Sequence, residues 1–202
     1  MNSMLDNIFL SYDKILKKLK ANGIKTKDGK EITYMDLRQA ILIMLEKHPS
    51  CRWRSEKIRS KRYYILYEGY LWIQNVYFKK GKKQIDLDIE FFESRIKEYE
   101  NILNIKSKLL FTKDYYIEDL KKYFNRASST IKKAIYKMLK ANNNNFRYVK
   151  DGKYIITREG IEWLCKNCFK QKYLEILEDY KMELTEQYIK EGYPYDNFFG
   201  RN

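Results

Sequence analysis

Apolar side chains recur at intervals of three and four over much of this chain, and the phase of the recurrence predicts its helices. Leu5, Ile8, Phe9, Tyr12, Ile15, Leu16 and Leu19 share one face, which predicts a helix over 4–20 ended by Asn22-Gly23. Lys27-Asp28-Gly29-Lys30 reads as a turn. Thr33, with Asp36 at the third helical position, is placed to cap a second helix that runs to Lys47, and Pro49 stops it. The segment CRWRSEKIRSKR (51–62) is strongly basic and has room for a short helix near 54–60. Beyond it the texture becomes that of strands: YYILY (63–67), YLWIQNVYF (70–78), a hairpin tip KKGKK (79–83), and QIDLDI (84–89), which alternates apolar and acidic residues. A helix over about 89–104 follows, with Ile89, Phe92, Ile96, Tyr99 and Leu103 on one side.

The second half is patterned more sharply. Leu109, Leu110 and Phe111 suit a short strand, and Ile117, Leu120 and Phe124 mark the inner face of a two-turn helix. Asn125-Arg126-Ala127-Ser128 turns the chain, with Ser128 or Ser129 as the next cap. Ile131, Ala134, Ile135, Met138 and Leu139 then recur as the buried stripe of a helix over 129–141. Asn142–Asn145 is a polar loop. Phe146–Val149 and Lys153–Thr157 read as strands joined by a tight Asp151-Gly152 turn. Thr157 caps a long final helix, about 158–190, which Gly192 and Pro194 end ahead of an aromatic tail. The expected fold class is α+β, mainly α. The expected domains are 1–104, helical with a β-meander, and 105–202, which holds the sharper pattern and the long C-terminal helix. Helix, helix, basic segment, hairpin, helix occurs in both halves, so the first is compatible with a diverged second copy, although no residue-level repeat joins them.

Charge narrows the function. The chain has 41 Lys and Arg against 27 Asp and Glu, a net charge of +14, and the excess is shared evenly between the halves. An AT-rich coding composition accounts for 19 Tyr and the Asn run, but not for the imbalance, because it supplies acids as readily. From Ile117 to Arg158 there are 11 bases against Glu118, Asp119 and Asp151, an excess that suits a polyanion. Three Cys make no disulfide framework, so a reducing, cytoplasmic setting is expected. The N-terminus lacks the pattern of a signal peptide, and the longest apolar run, Ala40 to Leu45, is far too short for a membrane span.

The passage Tyr154-Ile155-Ile156-Thr157-Arg158-Glu159-Gly160-Ile161-Glu162-Trp163-Leu164 resembles the "Tyr, x, Leu, Thr, x, x, Gly, x, x, x, Leu" stretch that leaves the wing in many bacterial winged helix-turn-helix regulators, with Ile156 in place of Leu. Tyr154 and Ile156 read as inward strand positions, Thr157 as the cap, and Gly160 as a point of close helix–strand contact. The resemblance covers about 111–165. It implies that 129–141 is a recognition helix, with Ser129, Thr130, Lys132, Lys133, Tyr136, Lys137 and Lys140 outward. Of these, Ser129 and Thr130, with Arg126, suit base reading, while the lysines suit phosphates. It also implies a wing whose Arg147, Lys150 and Lys153 reach the flanking backbone. The expectation is then tandem winged-helix-like units with a long C-terminal helix. The plainer alternative is a solvated lysine face. In the first half Arg52, Arg54, Arg59 and Arg62, with Lys79, Lys80, Lys82 and Lys83, form a second basic surface, to be weighed against a hairpin tip kept soluble by charge.

Other constellations are weaker. Cys165, Cys168, Cys51 and His48 have the spacing of two metal-ligand pairs, but they fall in different predicted domains and Cys165 and Cys168 lie in a helical pattern. Asp86, Asp88 and Glu90 would share a strand face able to hold Mg²⁺, though a solvated face with Asp88 as a cap is simpler. One His, no glycine-rich phosphate loop and no nucleophile elbow give little basis for an enzyme. No cofactor, membrane or small-molecule ligand is expected. Trp163, Cys168 or Phe169, Leu174, Leu177, Leu184 and Tyr188 form a stripe on the final helix that suits a homodimer. The expectation is a double-stranded DNA-binding protein, either a transcriptional regulator or a plasmid or phage replication or partition factor. The alternatives are a binder of single-stranded DNA or RNA, and a protein-interaction module such as a phage-encoded inhibitor using the aromatic tail.

Overall fold

Helices carry most of the chain and the strands are short, an α+β fold that is mainly α. The computed structural model describes residues 9–51, 53–54, 64–142 and 144–193. They divide into two compact units: residues up to Leu103 together with those from Lys181 onward, and Asn104–Tyr180. The first unit is therefore discontinuous, where one division near 104 is expected from the sequence. No helix among the described residues is long and apolar enough to cross a membrane.

The first unit opens with β1 (Phe9–Leu10) and α1 (Tyr12–Ala21), which Ser11 caps by accepting from the Lys14 N–H. The helix expected over 4–20 thus starts later, because Phe9 and Leu10 pair antiparallel with Leu66 and Ile65. In α2 (Tyr34–Lys47) Thr33 and Asp36 form the reciprocal capping box that the sequence predicts, and Leu37, Ala40, Ile41 and Met44 are buried. The short helix near 54–60 falls almost wholly outside the described residues. Among the described residues the β-meander does not form, and of 64–89 only Ile65–Leu66 is a strand, β2. It is followed by α3 (Tyr67–Trp72), a π-helical turn (Ile73–Tyr77) and α4 (Gln84–Ile102). The aromatic and β-branched run favours a strand locally, but in helical geometry it buries Tyr70, Trp72, Ile73, Val76 and Phe78 together. The apolar–acidic alternation of 84–89 is absorbed in the same way. Asp88 is buried, accepting from Trp72 Nε1 at 2.8 Å and lying 3.3 Å from His48 Nε2, whose ring packs among Trp53, Trp72 and Phe92. A buried carboxylate bonded this way completes a polar core contact.

The second unit runs β3 (Tyr115–Tyr116), α5 (Ile117–Phe124), α6 (Ser128–Ala141), β4 (Arg147–Lys150), β5 (Lys153–Ile156), α7 (Arg158–Asn167) and the start of α8 (Lys170–Lys190). Its three-stranded antiparallel sheet has the order β3-β5-β4, so the last strand is central. The strand expected at 109–111 lies instead at Tyr115–Tyr116; Phe111 is buried but stacks on Tyr173 from irregular backbone. The single helix expected over 158–190 is interrupted after Asn167. There the N–H groups of Cys168 and Phe169 both turn back to the Leu164 carbonyl, and Phe169 stacks on Phe124 at 4.2 Å.

The two units match one another in their pairing pattern, and residues correspond where none could be aligned from the sequence. Ile65 pairs on one side with Leu10 and on the other with Arg54; Ile156 pairs in the same way with Tyr115 and Arg147. The next N–H donates to the residue before that arginine, Leu66 to Trp53 O and Thr157 to Phe146 O. Gly69 and Gly160 follow at the same remove, each with its Cα tight against the matched side chains: a Cβ would sit 2.9 Å from Ile65 Cγ2 in one and 2.7 Å from Ile156 Cγ2 in the other. The stripe Leu37, Ala40, Ile41, Met44, Leu45 of α2 matches Ile131, Ala134, Ile135, Met138, Leu139 of α6, and Ile65-x-x-Glu68-Gly69-x-x-Trp72 matches Ile156-x-x-Glu159-Gly160-x-x-Trp163. The separation between matched residues falls from 105 (Ser11 to Tyr116) to 94 (Leu37 to Ile131) to 91 (Ile65 to Ile156), so no single offset reveals the repeat.

Candidate nucleic-acid interface

The turn between α5 and α6 sets up the site. Asn125 ends α5 in the left-handed region with φ 47°, and the N–H groups of Asn125 and Arg126 close onto the carbonyls of Lys122 and Lys121. The expected serine cap does not form. Ala127 is the N-cap and no side chain accepts there, which leaves the first N–H groups of α6 available to an anion. Lys121, Lys122, Asn125, Arg126 and Ala127 line an open depression of about 410 Å³ beside this terminus. Lys121 and Lys122 were not among the residues singled out from the sequence. Their signal was present, since both lie opposite the Leu120–Phe124 stripe.

Along α6 the predicted division holds. Ile131, Ala134, Ile135, Met138 and Leu139 are buried, while Ser129, Thr130, Lys132, Lys133, Tyr136, Lys137 and Lys140 are exposed, Tyr136 by 70%. Among the described residues none of Lys132, Lys133, Lys137 and Lys140 is paired with a carboxylate. The helix thus presents an uncompensated cationic strip, open to a ligand of opposite charge.

The β4–β5 hairpin is built by Asp151 at φ 51° and Gly152 at φ 75°, a pair of positive values that matches strand twist and favours glycine at the second position. Its cations are not equivalent. Lys150 is exposed and has no carboxylate partner among the described residues. Lys153 is held 3.4 Å from Glu118, and the Arg147 guanidinium lies 4.4 Å above the Tyr154 ring. Tyr154 is therefore an outward position, half exposed, rather than the inward one expected; Ile155 and Ile156 are the buried pair. Tyr148 donates to Asp114 at 3.0 Å, which pushes its phenol pKa up.

The first unit holds its predicted basic residues differently. Lys79, Lys80, Lys82 and Lys83 are exposed on a loop between two helices rather than on a hairpin tip, and Lys82 is paired with Glu90. Arg54 is exposed beside β2. Arg52, Arg59 and Arg62 lie outside the described residues. The suggested metal set is taken apart. His48 is bonded to Asp88, and Cys51 belongs to the first unit. In the second unit Cys165 is a core residue whose thiol is pushed up to about 12 by burial. Asp86, Asp88 and Glu90 do not share a face, because helical geometry turns Asp88 inward. Among the described residues no group of three or more His, Cys, Asp or Glu could hold a metal ion. Comparison with known protein families, with characterised proteins and with solved structures finds no match to this chain.

Proposed function

We propose that this chain binds double-stranded DNA by laying α6 along the major groove, with Asn104–Tyr180 acting as a winged helix-turn-helix. The observation that carries the reading is the cationic strip of α6, Lys132, Lys133, Lys137 and Lys140, exposed opposite a fully buried stripe and free of carboxylates among the described residues. The element order strand, helix, helix, strand, strand, with the last strand central, supports it, because this order places a hairpin after a supported second helix. In this reading Lys121, Lys122 and Arg126 grip phosphate beside the uncapped terminus of α6, Ser129 and Thr130 face base edges, and Lys150 reaches the flanking backbone. The role is that of a cytoplasmic binding protein rather than an enzyme: a regulator of transcription, or a replication or partition factor.

Fluorescence anisotropy with duplexes of random sequence, titrated at several salt concentrations, tests the proposal. Log affinity falls steeply with log salt, and changing Lys132, Lys133 and Lys137 together to Ala reduces the slope by about 2 to 3, near 0.9 per lost phosphate contact. A flat salt dependence, or a triple variant with the parental slope, refutes it. The exposed Tyr136, Tyr148 and Tyr154 favour a second reading, stacking on unpaired bases, and tighter binding to single strands than to duplex would select it.

A further inference from the structure

The apolar stripe of α8 expected to join two copies is already covered: Leu174, Leu177, Leu184 and Tyr188 are each no more than 4% exposed in the single chain. The repeat points to another surface. Because α2 and α6 match position for position, their outward faces can be compared directly. Where α6 carries Ser129, Lys132, Lys133, Tyr136, Lys137 and Lys140, α2 carries Met35, Arg38, Gln39, Leu42, Ile43 and Glu46. One helix has four lysines; its counterpart has one base, one acid and an apolar centre. Met35 is 65% exposed and Leu42 is 42% exposed, and seven residues apart they share one face of the helix. Phosphates offer nothing to this face. A protein surface does.

We infer that the outward face of α2 joins two copies of this chain, packed antiparallel about a twofold axis through Leu42. The self-complementarity of its charges selects a second copy rather than an unrelated protein. Arg38 and Glu46 stand four residues to either side of Leu42, both exposed and neither ion-paired among the described residues. Residues at equal distances on opposite sides of the axis meet in such a pair. Leu42 therefore meets its own copy, Arg38 meets the second copy's Glu46, and Glu46 meets the second copy's Arg38. Two ion pairs flanking an apolar centre follow from one short sequence, as a closed twofold interface requires. The inference does not depend on the DNA reading.

The test uses the full chain without nucleic acid, with mass measured by sedimentation equilibrium across a concentration series. The parent chain forms a dimer. Leu42→Glu is a monomer over the same range. Arg38→Glu sets acid against acid at both cross pairs, and Glu46→Arg sets base against base, so each alone dissociates about tenfold or more readily. An equimolar mixture of the Arg38→Glu and Glu46→Arg chains recovers a heterodimer, because both cross pairs then join an acid of one chain's face to a base of the other's. Both sites are exposed and circular dichroism checks the fold of each variant, while recovery on mixing is a gain that misfolding cannot produce. A parent chain that stays monomeric, a dimer insensitive to Leu42→Glu, or single variants that do not recover on mixing each overturn the inference.

Discussion

Replacing Gly160 by Ala tests the junction that sets the hairpin against α7. The φ of Gly160 is not positive, so conformational freedom is not what the position needs. An added Cβ would lie 2.7 Å from Ile156 Cγ2, 2.9 Å from Phe146 Cβ and 3.1 Å from the Phe146 carbonyl oxygen. The carbon contacts are short of comfortable separation by roughly 1 Å. Ile156 Cγ2 is a branch methyl held at the sheet centre, and the Phe146 carbonyl is fixed by the Thr157 N–H, so neither yields easily. Helix propensity favours Ala by about 1 kcal/mol, whereas overpacking costs about 1–3 kcal/mol and more where backbone resists. The expected net loss is about 1–2 kcal/mol. At Gly69 the third neighbour is Met44 Sδ at 3.1 Å, a flexible thioether, so Gly69→Ala is expected to cost less, about 1 kcal/mol. Urea unfolding followed by tryptophan fluorescence reads both as lower midpoints with the slope unchanged. A raised midpoint in either variant would refute the close-approach argument and with it the structural equivalence of the two glycines.

Other outcomes follow from the same structure. Asp88→Ala strips the buried Trp72 Nε1 and His48 of their shared acceptor and should cost about 3 kcal/mol in the same urea assay; a loss below about 1 kcal/mol would mean that water reaches the cluster. Thr33→Ala removes the α2 cap and should cost about 1 kcal/mol at neutral pH. The hydrogen bonds from Thr33 hold the Asp36 carboxyl below its ordinary value, so the contribution of Asp36 is present above the unfolded carboxylate pKa and lost as pH falls through the lowered folded value. The Thr33→Ala penalty should therefore shrink in acid, and a penalty that grew there would contradict the capping box. Burial raises the thiols of both Cys165 and Cys168, but Cys168 is only half-buried. Iodoacetamide followed by peptide mapping should modify Cys168 first and reach Cys165 only on unfolding.

What could be read from the residues and what could not divide along physical lines. The stripe of α6, the Thr33 and Thr157 caps and the Asp151-Gly152 turn depend on neighbours a few positions away, and each was legible. Tyr67–Asp88 was not, because its local preference for strand is overridden by partners far along the chain: Trp72 and His48 converge on Asp88, and Gly69 is closed by Trp53 and Met44. The lysines of α6 were found because a buried stripe identifies its own complement. Lys121 and Lys122 were visible by the same rule but went unremarked. The repeat stayed hidden because the matched helices are joined by three residues in one unit and by twelve in the other, from Asn22 to Thr33.

Lys181 is almost wholly buried, with its ammonium 2.7 Å from Glu68, and Glu68 also faces Arg95 at 3.5 Å. Removing one member of such a group leaves charge stranded away from water. On a ribosome, however, Glu68 emerges more than a hundred residues ahead of Lys181. Asn104–Tyr180 is contiguous, while the charge group around Glu68 is complete only once Lys181 has been made. The unit that begins first along the chain is therefore the one whose last residues are made last.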